Sequence, residues 1–515
     1  MEQYYAGFDA GTQSVKAVIC NENMECIASC SKPTHLFYPH PGWVQMDVDE
    51  YLQLTKECLR ECVEQMKAQG LSPEGVRSIM GDGIICGIAG VDVEGNAITP
   101  YINYLDSRTA EDVDAINAKG LEIWGKETGN PGANCMFPAM FARWFLKNSP
   151  EFRSRGVKFV HNAPYVLAHL AGLRADDMFI DWGAMSGWGL GYHVYNKEWS
   201  SEQLELLGID PSYLPKIVKP WSIIGALTAD AAHETGLPEG TPICAGAGDT
   251  MQSMIGSGIL EAGHAVDVAG TCAMFCVSTS GIIPELSQPG RNLIFNSGTL
   301  PDTYFYWGFI RTGGLALRWF KDNICKKEED PSYYQELSRQ AALVPVGSNG
   351  VLFLPYLTGG MGDQADASGC FLNMTLDTNQ NVLWRAVLEA IGYDYMEITD
   401  IYRHAGADLS RITITEGGSR DDLWNQMKSD MLGSQVATLC HEGGAVITNC
   451  LFGAYAVGDI TDIHAKLEDY LRIKKIYHPQ PEAEKQYRRL YQMQKKLVKS
   501  EMIDVFSKLQ ELRNG

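Results

Sequence analysis

The sequence predicts an α/β protein with two domains, and three features of the chain support this prediction. Its 515 residues exceed the roughly 250–300 residues at which a single hydrophobic core stops growing. Strand-like and helix-like runs alternate along the chain, which is typical of α/β layers. A hydrophobic strand, a Gly-Thr turn and a second hydrophobic strand occur at the start of the chain and recur from residue 265. This recurrence favours an internal duplication, although two unrelated hairpins would leave the same pattern.

The composition argues against several classes of function. The chain has 42 Lys and Arg against 63 Asp and Glu, which gives a net charge of −21. An acidic excess argues against binding to nucleic acid or to an anionic membrane, since both need clustered basic residues. The chain starts without a basic leader and has no apolar run of the ~18 residues needed to span a membrane. We therefore expect a cytoplasmic protein.

The 14 Cys residues are too dilute for a disulfide scaffold in a chain of this length. Two pairs, Cys58/Cys62 and Cys272/Cys276, have the spacing that would place both thiols on one helix face. No matching His or second Cys pair accompanies them, so we expect buried free thiols rather than a metal site.

The first predicted element is a β-hairpin formed by residues 4–9 and 15–20 around a Gly-rich turn. Backbone N–H groups and hydroxyls in such a turn suit phosphate oxygens. Asp9 would hold Mg²⁺ through water, because Mg²⁺ gives up its waters reluctantly, and Lys16 would add a positive charge. The alternative is a plain hairpin whose polar side chains satisfy the turn. The pattern reads Asp9-x-Gly11-Thr12-x-Ser14-x-Lys16.

The later elements follow from periodicity and from the positions of glycine. Apolar residues at helical spacing predict helices, the first of which stops at Gly70, and short β-branched runs predict strands. The charged tail from Pro481 to Gly515 predicts one surface helix or a pair. The predicted helices are 51–69, 384–400 and 423–432, and the predicted strands include 243–249, 265–268, 273–277 and 412–415.

A carboxylate lies at the end of the buried strand 243–249, in the segment Ala245-Gly246-Ala247-Gly248-Asp249-Thr250. Ligands bind beyond the carboxyl ends of strands in open α/β sheets. Asp249 is therefore a candidate general base for a hydroxyl nucleophile, with flanking glycines that would let the backbone approach a ligand. The alternative is an Asp that caps a helix starting at Thr250.

Two further segments carry weaker signals. The turn Gly417-Gly418-Ser419-Arg420 lies between a strand and a helix and would either approach a nucleotide or be an ordinary turn. Asp106 and Arg108 are two residues apart and in a strand would share a face, from which they could hydrogen-bond vicinal hydroxyls of a sugar. The alternative is a surface ion pair, worth ~0–1 kcal/mol.

The order of these motifs resembles that of the FGGY carbohydrate kinases, within the superfamily of actin, hexokinase and the heat-shock chaperone ATPases. The resemblance extends from about residue 4 to about residue 460. Lys16 in the first hairpin is more similar to xylulokinases than to glycerol kinases, which tend to have Arg there. The segments that carry the resemblance include GFDAGTQSVKAVI, PGWVQMD, YLDSRT, GLPEGTPICAGAGD, VAGTCAMF, GVLFLPYLTGG, WRAVLEAIGY and EGGSRDDLWNQMKSDML.

The resemblance implies two ribonuclease-H-like α/β domains that flank a cleft for ATP and sugar. The first domain would span residues 1–248 and carry the sugar site and the first phosphate hairpin. The second would span residues 249–515 and carry the second phosphate hairpin and the adenosine site, with a helical tail from about residue 478.

The resemblance also implies roles for individual residues. Asp249 matches the catalytic base, which also contacts the sugar, and Asp9 together with Asp249 matches the acids that hold Mg²⁺ through water. Trp43, Asp106 and Arg108 match sugar contacts. The residues that match ATP and phosphate contacts are Gly11, Thr12, Gln13, Ser14, Lys16, Gly270, Thr271, Gly313, Gly314, Gly417, Gly418 and Asn425.

Three segments depart from the xylulokinase pattern, and all three would affect substrate or closure contacts. A Gln-Met-His stretch is replaced within residues 81–86, which read Gly-Asp-Gly-Ile-Ile-Cys. A Gly-Glu-Arg-Thr-Pro segment is replaced by residues 359–363, and an acidic Glu-Gln-Asp-Pro by residues 45–48. The identity of the substrate is therefore open.

The resemblance implies an ATP- and Mg²⁺-dependent kinase that phosphorylates a hydroxyl of a small sugar, with a ketopentose such as xylulose or ribulose expected first. Glycerol, a tetritol, a hexulose or a signalling sugar is the alternative acceptor. A third interpretation is a sugar-independent ATPase or sensor on the same fold. The expected partners are the sugar and ATP, with no nucleic acid and no membrane, and a homodimer is left open.

Overall fold

The computed structural model describes residues 2–270, 273–310, 313–359, 366–441 and 444–514. The chain forms two compact units, each built from three segments. The first unit contains Met1–Gly256, Thr279–Tyr306 and Gly444–Leu471, and the second contains Ser257–Ser278, Trp307–Gly443 and Arg472–Gly515. The chain therefore returns to the first unit twice after leaving it. A domain boundary after residue 248 stays a prediction.

The central sheet of the first unit is built around the predicted hairpin. The hairpin and the strand after it form an antiparallel meander, and the first strand of the chain then begins a parallel set. The far edge strand is antiparallel. In spatial order the strands are Ile223–Ala226, Pro242–Cys244, Val76–Gly83, Tyr4–Ala10, Ser14–Asn21 and Cys26–Pro33, with Ala247–Gly248 also paired in parallel to Val76–Gly83.

The second unit has a sheet of the same design. Its hairpin is antiparallel, the first hairpin strand begins a set of three parallel strands, and the edge strand is again antiparallel. Both units therefore repeat one succession of strands, as the predicted duplication requires. In spatial order these strands are Ala273–Thr279, His264–Val268, Arg411–Thr415, Gln435–Leu439 and Ile473–Tyr477.

Shorter strands complete the two units. In the first unit these are Gln45–Met46, Tyr101–Asn103, Gly87–Val91 and Lys158–Val160 in one small sheet, Phe179–Asp181 with Lys216–Val218, Tyr192–His193 with Glu198–Trp199, and Ile294–Ser297. In the second unit Leu352–Leu354 pairs with Cys370–Leu372. The strand Tyr304–Ile310 begins in the first unit and ends in the second.

None of the helices in the described ranges is long and apolar enough to cross a membrane. The helices of the first unit are Val48–Ala68, Ala110–Asn117, Ile123–Thr128, Pro138–Asn148, Pro150–Arg155, Asn162–Leu170, Trp182–Ser186, Ser201–Leu207, Ala229–Thr235, Asp249–Gly256, Ala445–Ala456 and Ile463–Tyr470. Those of the second unit are Gly313–Trp319, Tyr333–Ala341, Gln380–His404, Asp422–Leu432, Pro481–Lys496 and Ile503–Asn514.

The first long helix, Val48–Ala68, begins three residues before the predicted start. Asp47 explains the earlier start, because its side chain accepts a hydrogen bond from Asp49 N at 2.9 Å and caps the helix. Gly70 follows the last turn with a φ of +76°, as the predicted glycine stop requires. The apolar face of the helix, which includes Tyr51 and Leu59, packs in the core of the first unit.

The C-terminal tail is held on the second unit by a buried ion pair. Arg385 Nε donates to Glu389 Oε1 at 3.2 Å, and Arg385 Nη2 donates to the hydroxyl of Tyr487 on the tail helix at 2.8 Å. The other oxygen of Glu389 accepts from Ser348 Oγ at 2.8 Å. Of the predicted surface helix or pair, the structure shows the pair, Pro481–Lys496 and Ile503–Asn514.

Asp181 gives the first unit a pH-dependent stability that can be tested. It caps the helix Trp182–Ser186 by accepting from Gly183 N and Ala184 N at 2.7 and 3.1 Å. Burial raises the pKa of this carboxyl from 3.8 to about 7. The fold therefore favours the neutral acid, and the stability that this form contributes is full below pH 3.8 and is lost as the pH rises through 7.

We expect Asp181→Asn to have a higher Tm than the wild type at pH 8 and a similar Tm near pH 4. The amide keeps an oxygen that can cap the helix but carries no charge to desolvate. Thermal unfolding followed by circular dichroism at both pH values measures the difference. A variant that is less stable than the wild type by the same amount at both pH values would contradict the assignment.

Candidate active site

The first hairpin presents an open turn beside Asp9. Asp9 lies opposite Lys16 in the antiparallel register, and the side chain of Lys16 is exposed. The turn closes through a hydrogen bond from Gly11 N to Ser14 O at 3.1 Å. Thr34, directly after the third strand, donates through Oγ1 to the carbonyl of Thr12 at 2.7 Å. Its N–H also donates to the carbonyl of Gln13, so the shape of the turn depends on the strand that follows it.

Three carboxylates converge at the carboxyl ends of adjacent parallel strands. Asp82 lies directly opposite Asp9 in the parallel register, and Ala247 lies opposite Asp82 on the other side. Asp249 follows two residues later, as the first residue of the helix Asp249–Gly256. Sequence reasoning missed Asp82 as a site residue. The parallel pairing of residues 76–83 with the first strand is the signal that would have found it.

Asp82 is fully buried, Asp9 and Asp249 are partly exposed, and the three carboxyl groups perturb one another. Burial raises the pKa of Asp82 well above its ordinary range, and the charges of Asp9 and Asp249 raise it further. Burial also raises the pKa of Asp9. A hydrogen bond with the side chain of Asp82 and the positive charge of Lys16 both act to lower it. Oδ1 of Asp9 and Oδ1 of Asp82 are both buried without a hydrogen-bond partner in the described ranges.

Asp249 is the first residue of the helix Asp249–Gly256 and makes a local contact with its neighbour. Its Oδ1 accepts from Thr250 N at 2.5 Å and from Thr250 Oγ1 at 3.1 Å, whereas a capping side chain accepts from the second or third residue of the helix. Burial, followed by the charge of Asp9, raises the pKa of its carboxyl to about 7. A carboxyl of that pKa has the proton affinity that a general base needs near neutral pH.

The glycines before Asp249 serve the packing of the protein itself. Gly246 has a φ of +79°, and a Cβ there would lie 2.1 Å from the carbonyl oxygen of Gly81. A Cβ at Gly248 would lie 2.1 Å from Cγ2 of Ile85. These distances exclude a side chain at either position. The glycines are therefore required for close contact with residues 81–85, and the approach of a ligand to them stays a prediction.

These residues fit a hydrated divalent cation. The unpartnered oxygens of Asp9 and Asp82 are hard anionic acceptors of the type that Mg²⁺ and its waters prefer. In the part of the chain that the structure describes, no three His, Cys, Asp or Glu side chains are arranged to hold an ion directly. Contact of Asp9 and Asp249 with the metal through water stays a prediction. The metal would supply positive charge to phosphate oxygens.

The three residues that match sugar contacts lie together in the first unit. The guanidinium carbon of Arg108 is 3.8 Å from the centroid of the Trp43 ring and 4.8 Å from that of Trp144. Asp106 accepts from Nε and Nη2 of Arg108 at 2.9 and 2.7 Å, and also from Val44 N at 2.5 Å. The pair thereby ties the loop that carries Trp43 to the turn that follows the strand Tyr101–Asn103.

Burial of this pair overturns the surface ion-pair alternative. The side chains of Asp106 and Arg108 are 0% and 1% exposed. With its amide oriented to place Oε1 toward the guanidinium, Gln45 accepts from Arg108 at 2.9 and 3.1 Å. The strand ends at Asn103, so the pair lies in a turn and not on a strand face. A direct contact of the pair with sugar stays a prediction, and Trp43 is the partly exposed member of the trio.

The residues expected to bind phosphate in the second half lie in the second unit. Gly270 follows the strand His264–Val268, and its N–H donates to Val268 O at 3.0 Å. Gly313 begins a helix and packs against Ala273, where a Cβ would lie 3.0 Å from the Ala273 side chain. Gly314 is the next residue of that helix. Thr271 lies outside the described residues.

The expected adenosine residues also belong to the second unit. Gly417 and Gly418 form a short 3₁₀ turn after the strand Arg411–Thr415. Gly418 N donates to Ala269 O at 3.1 Å, which places this turn beside the second hairpin. Asn425 is fully buried and donates through Nδ2 to Ser419 O at 2.8 Å. Its geometry is that of a brace for the turn, and an adenosine contact stays a prediction.

Comparison with known proteins identifies the family. The model of the FGGY family of carbohydrate kinases, N-terminal domain, matches residues 4–256, and the model of the C-terminal domain matches residues 265–457. The chain belongs to this family. It is therefore a carbohydrate kinase with the two-domain α/β fold of the actin and hexokinase type, as the order of motifs predicted.

Individual relatives are similar along almost the whole chain. Xylulose kinase from Bacillus subtilis (strain 168) is 26% identical over 504 residues, which cover 96% of each chain. Gluconokinase from the same organism is also 26% identical, over 95% of this chain and 94% of its own. The crystal structure of xylulose kinase from Rhodospirillum rubrum matches with a TM-score of 0.85 at 25% identity, covering 98% of this chain and 100% of that one.

Removal of one charge from the Asp106–Arg108 pair should strongly destabilise the protein. Asp106→Asn leaves the guanidinium buried without its counter-charge, so we expect a loss of about 3–5 kcal/mol in the free energy of unfolding. The double substitution Asp106→Leu with Arg108→Met removes both charges and should cost much less. Urea unfolding of the two variants and the wild type measures this. A single variant within about 1 kcal/mol of the wild type, the cost typical of an exposed pair, would contradict the buried clamp.

Proposed function

We propose that this FGGY kinase transfers the γ-phosphate of ATP, in the presence of Mg²⁺, to a hydroxyl of a small uncharged sugar, with a ketopentose such as xylulose or ribulose as the first acceptor. Family membership supports the class of reaction. The acids and the hairpin of the first unit support the roles assigned to individual residues.

The environment of Asp249 is the observation that carries the proposal. A sugar hydroxyl attacks the γ-phosphate more readily when a carboxylate accepts its proton. Thr250 holds Oδ1 of Asp249 in place, which leaves Oδ2 for the hydroxyl proton. The raised pKa of about 7 makes the carboxylate a stronger proton acceptor than an exposed Asp.

The hairpin supplies the phosphate contacts in this proposal. The polar turn at Gly11 and Thr12 is braced from behind by Thr34, so its donors need little reorganisation when a phosphate arrives. Lys16 projects from the next strand and is exposed. Its charge would offset the negative charge of the transferring group, while Asp9 would orient the waters of Mg²⁺.

The residues beside Asp249 favour an uncharged acceptor. Gluconokinase and xylulose kinase are equally similar to this chain, so gluconate is the second candidate acceptor. Ile85 packs against Gly248, and the buried thiol of Cys86 lies within electrostatic reach of Asp249. Neither side chain offers a positive charge to the carboxylate of an aldonate. Arg108 is already paired with Asp106.

A screen of ADP release against candidate acceptors tests the substrate. We expect the highest kcat/KM for a ketopentose among xylulose, ribulose, gluconate, glycerol and an aldose. If gluconate were the best acceptor, it would replace the ketopentose in the proposal. The uncharged side chains of Ile85 and Cys86 would then not exclude an aldonate. ADP release that is independent of every acceptor would contradict the kinase proposal and favour an ATPase.

Asp249→Asn tests the base directly. The amide keeps the size and the hydrogen bonds to Thr250 but cannot accept a proton, so kcat should fall roughly 10²–10⁴-fold. The affinity for ATP should change little. Asp181→Asn is the matched control, because it neutralises another buried carboxyl of the same unit and should retain kcat. Turnover near the wild-type value in Asp249→Asn would leave Asp249 as a helix cap only.

A further inference from the structure

Asp82 has no role in the reaction as proposed, although it lies between Asp9 and the segment that leads to Asp249. Its side chain is fully buried. One oxygen, Oδ2, accepts from Asn449 Nδ2 at 2.6 Å. The other, Oδ1, is buried and has no hydrogen-bond partner in the described ranges. Buried polar atoms are normally paired, and an unpaired one costs about 1–3 kcal/mol. The free oxygen of Asp82 therefore requires an explanation.

A network of side-chain amides holds Asp82 in one orientation. Nδ2 of Asn449 donates to both Asp82 Oδ2 and Phe8 O, the latter at 2.9 Å. Oδ1 of Asn449 accepts from Gln252 Nε2 at 2.7 Å. Thr299 Oγ1 then donates to Gln252 Oε1 at 3.1 Å. All five residues are buried. Because Oδ1 of Asn449 already accepts from Gln252, Asn449 presents its N–H group to Asp82, and a carboxylate oxygen is the matching acceptor.

The free oxygen of Asp82 has a counterpart on Asp9. The two residues are direct neighbours across the parallel register, and Oδ1 of each is buried and unpartnered. Lys16 is the register neighbour of Asp9 on its other side, but its side chain extends into solvent. The two carboxyls also lie within hydrogen-bond reach of each other, so one proton shared between them is one way to satisfy the pair. A hydrated divalent cation is the other way, because its waters donate hydrogen bonds and the ion balances both carboxylates.

We propose that Asp82 is a third carboxylate of the Mg²⁺ site, where its Oδ1 accepts a hydrogen bond from a metal-bound water shared with Asp9. This inference rests on the proposed function, which places Mg²⁺ at Asp9. Asp82 also lies in the segment where this chain departs from the xylulokinase pattern, so the third carboxylate is a property of this chain.

The alternative is a structural Asp82 that only holds Asn449. The two roles differ in what they require of the side chain. Holding Asn449 needs one acceptor oxygen, which an amide or a hydroxyl also provides. Binding a hydrated cation needs the negative charge. Removal of the charge with the acceptor retained therefore separates the two roles.

The test measures metal binding to the full chain without ATP or sugar. Free Mn²⁺ is titrated and counted by its electron paramagnetic resonance signal, with Mn²⁺ standing in for Mg²⁺. We expect Asp82→Asn to weaken Mn²⁺ binding on the order of 10–100-fold, as is typical when a hydrogen-bonding partner of a metal's ligands is lost. Asp82→Ser keeps an acceptor for Asn449 with a smaller side chain and should weaken binding similarly, which covers a failure of the first variant to fold.

Two further variants make the result unambiguous. Asp181→Asn neutralises a buried carboxyl outside the cluster and should bind Mn²⁺ as the wild type does. Asp9→Asn should lose binding, because it removes the acid that the proposed function assigns to the metal. Folded Asp82→Asn or Asp82→Ser with wild-type Mn²⁺ affinity would overturn the role of Asp82 while leaving the proposed function intact. Wild-type affinity in Asp9→Asn, or no Mn²⁺ binding by the wild type, would instead remove the metal site on which the inference rests.

Discussion

The close approach of three carboxyl groups, one of them fully buried, is the constraint on which the first unit's site depends. Asp9, Asp82 and Asp249 come together because three parallel strands end at the same edge of the sheet. Burial and like charge both disfavour ionisation of Asp82, so bound protons or cations stabilise the cluster. Under the proposed function, a metal that balances the acids would also bring positive charge to the phosphates. The unpartnered oxygens of Asp9 and Asp82 are the observation that supports this part of the proposal.

The fold holds these acids with residues from distant parts of the chain. The helix Ala445–Ala456 belongs to the first unit although more than 400 residues separate it from the first strand. It packs so closely on that strand that a Cβ at Gly7 would lie 2.5 Å from Val446 O. Asn449 on this helix then joins Phe8, Asp82 and Gln252 in one hydrogen-bonded network. Because Gln252 lies on the helix that begins with Asp249, the same network links the acid at the end of one strand to the helix that carries the proposed base.

The Asp106–Arg108 pair has a structural role that the sequence did not indicate, besides the sugar contact that stays a prediction. Its guanidinium is stacked by Trp43 and Trp144, and its donors face Asp106 and Gln45. A buried ion pair of this kind costs desolvation energy and contributes chiefly to a single local geometry. The geometry that it defines here is the position of the loop bearing Trp43, a partly exposed indole suited to packing on the apolar face of a sugar. The pair thus fixes the position of an aromatic ring, and a contact of that ring with sugar stays a prediction.

The sequence alone determined the elements with local causes. Strand alternation and turn glycines predicted both hairpins, helical periodicity predicted the long helices, and the order of short motifs predicted the family. The position of Asp82 in the site and its amide network were not predictable in this way. Asp82 is placed by the register between two strands about 70 residues apart, and the network comes from the helix Ala445–Ala456. Burial of the Asp106–Arg108 pair was equally hidden, since two charged residues in a turn look the same in sequence whether or not two Trp side chains cover them. Local propensity acts between near neighbours along the chain, whereas burial, pairing and pKa depend on what long-range packing brings together, and only the tertiary structure decided those.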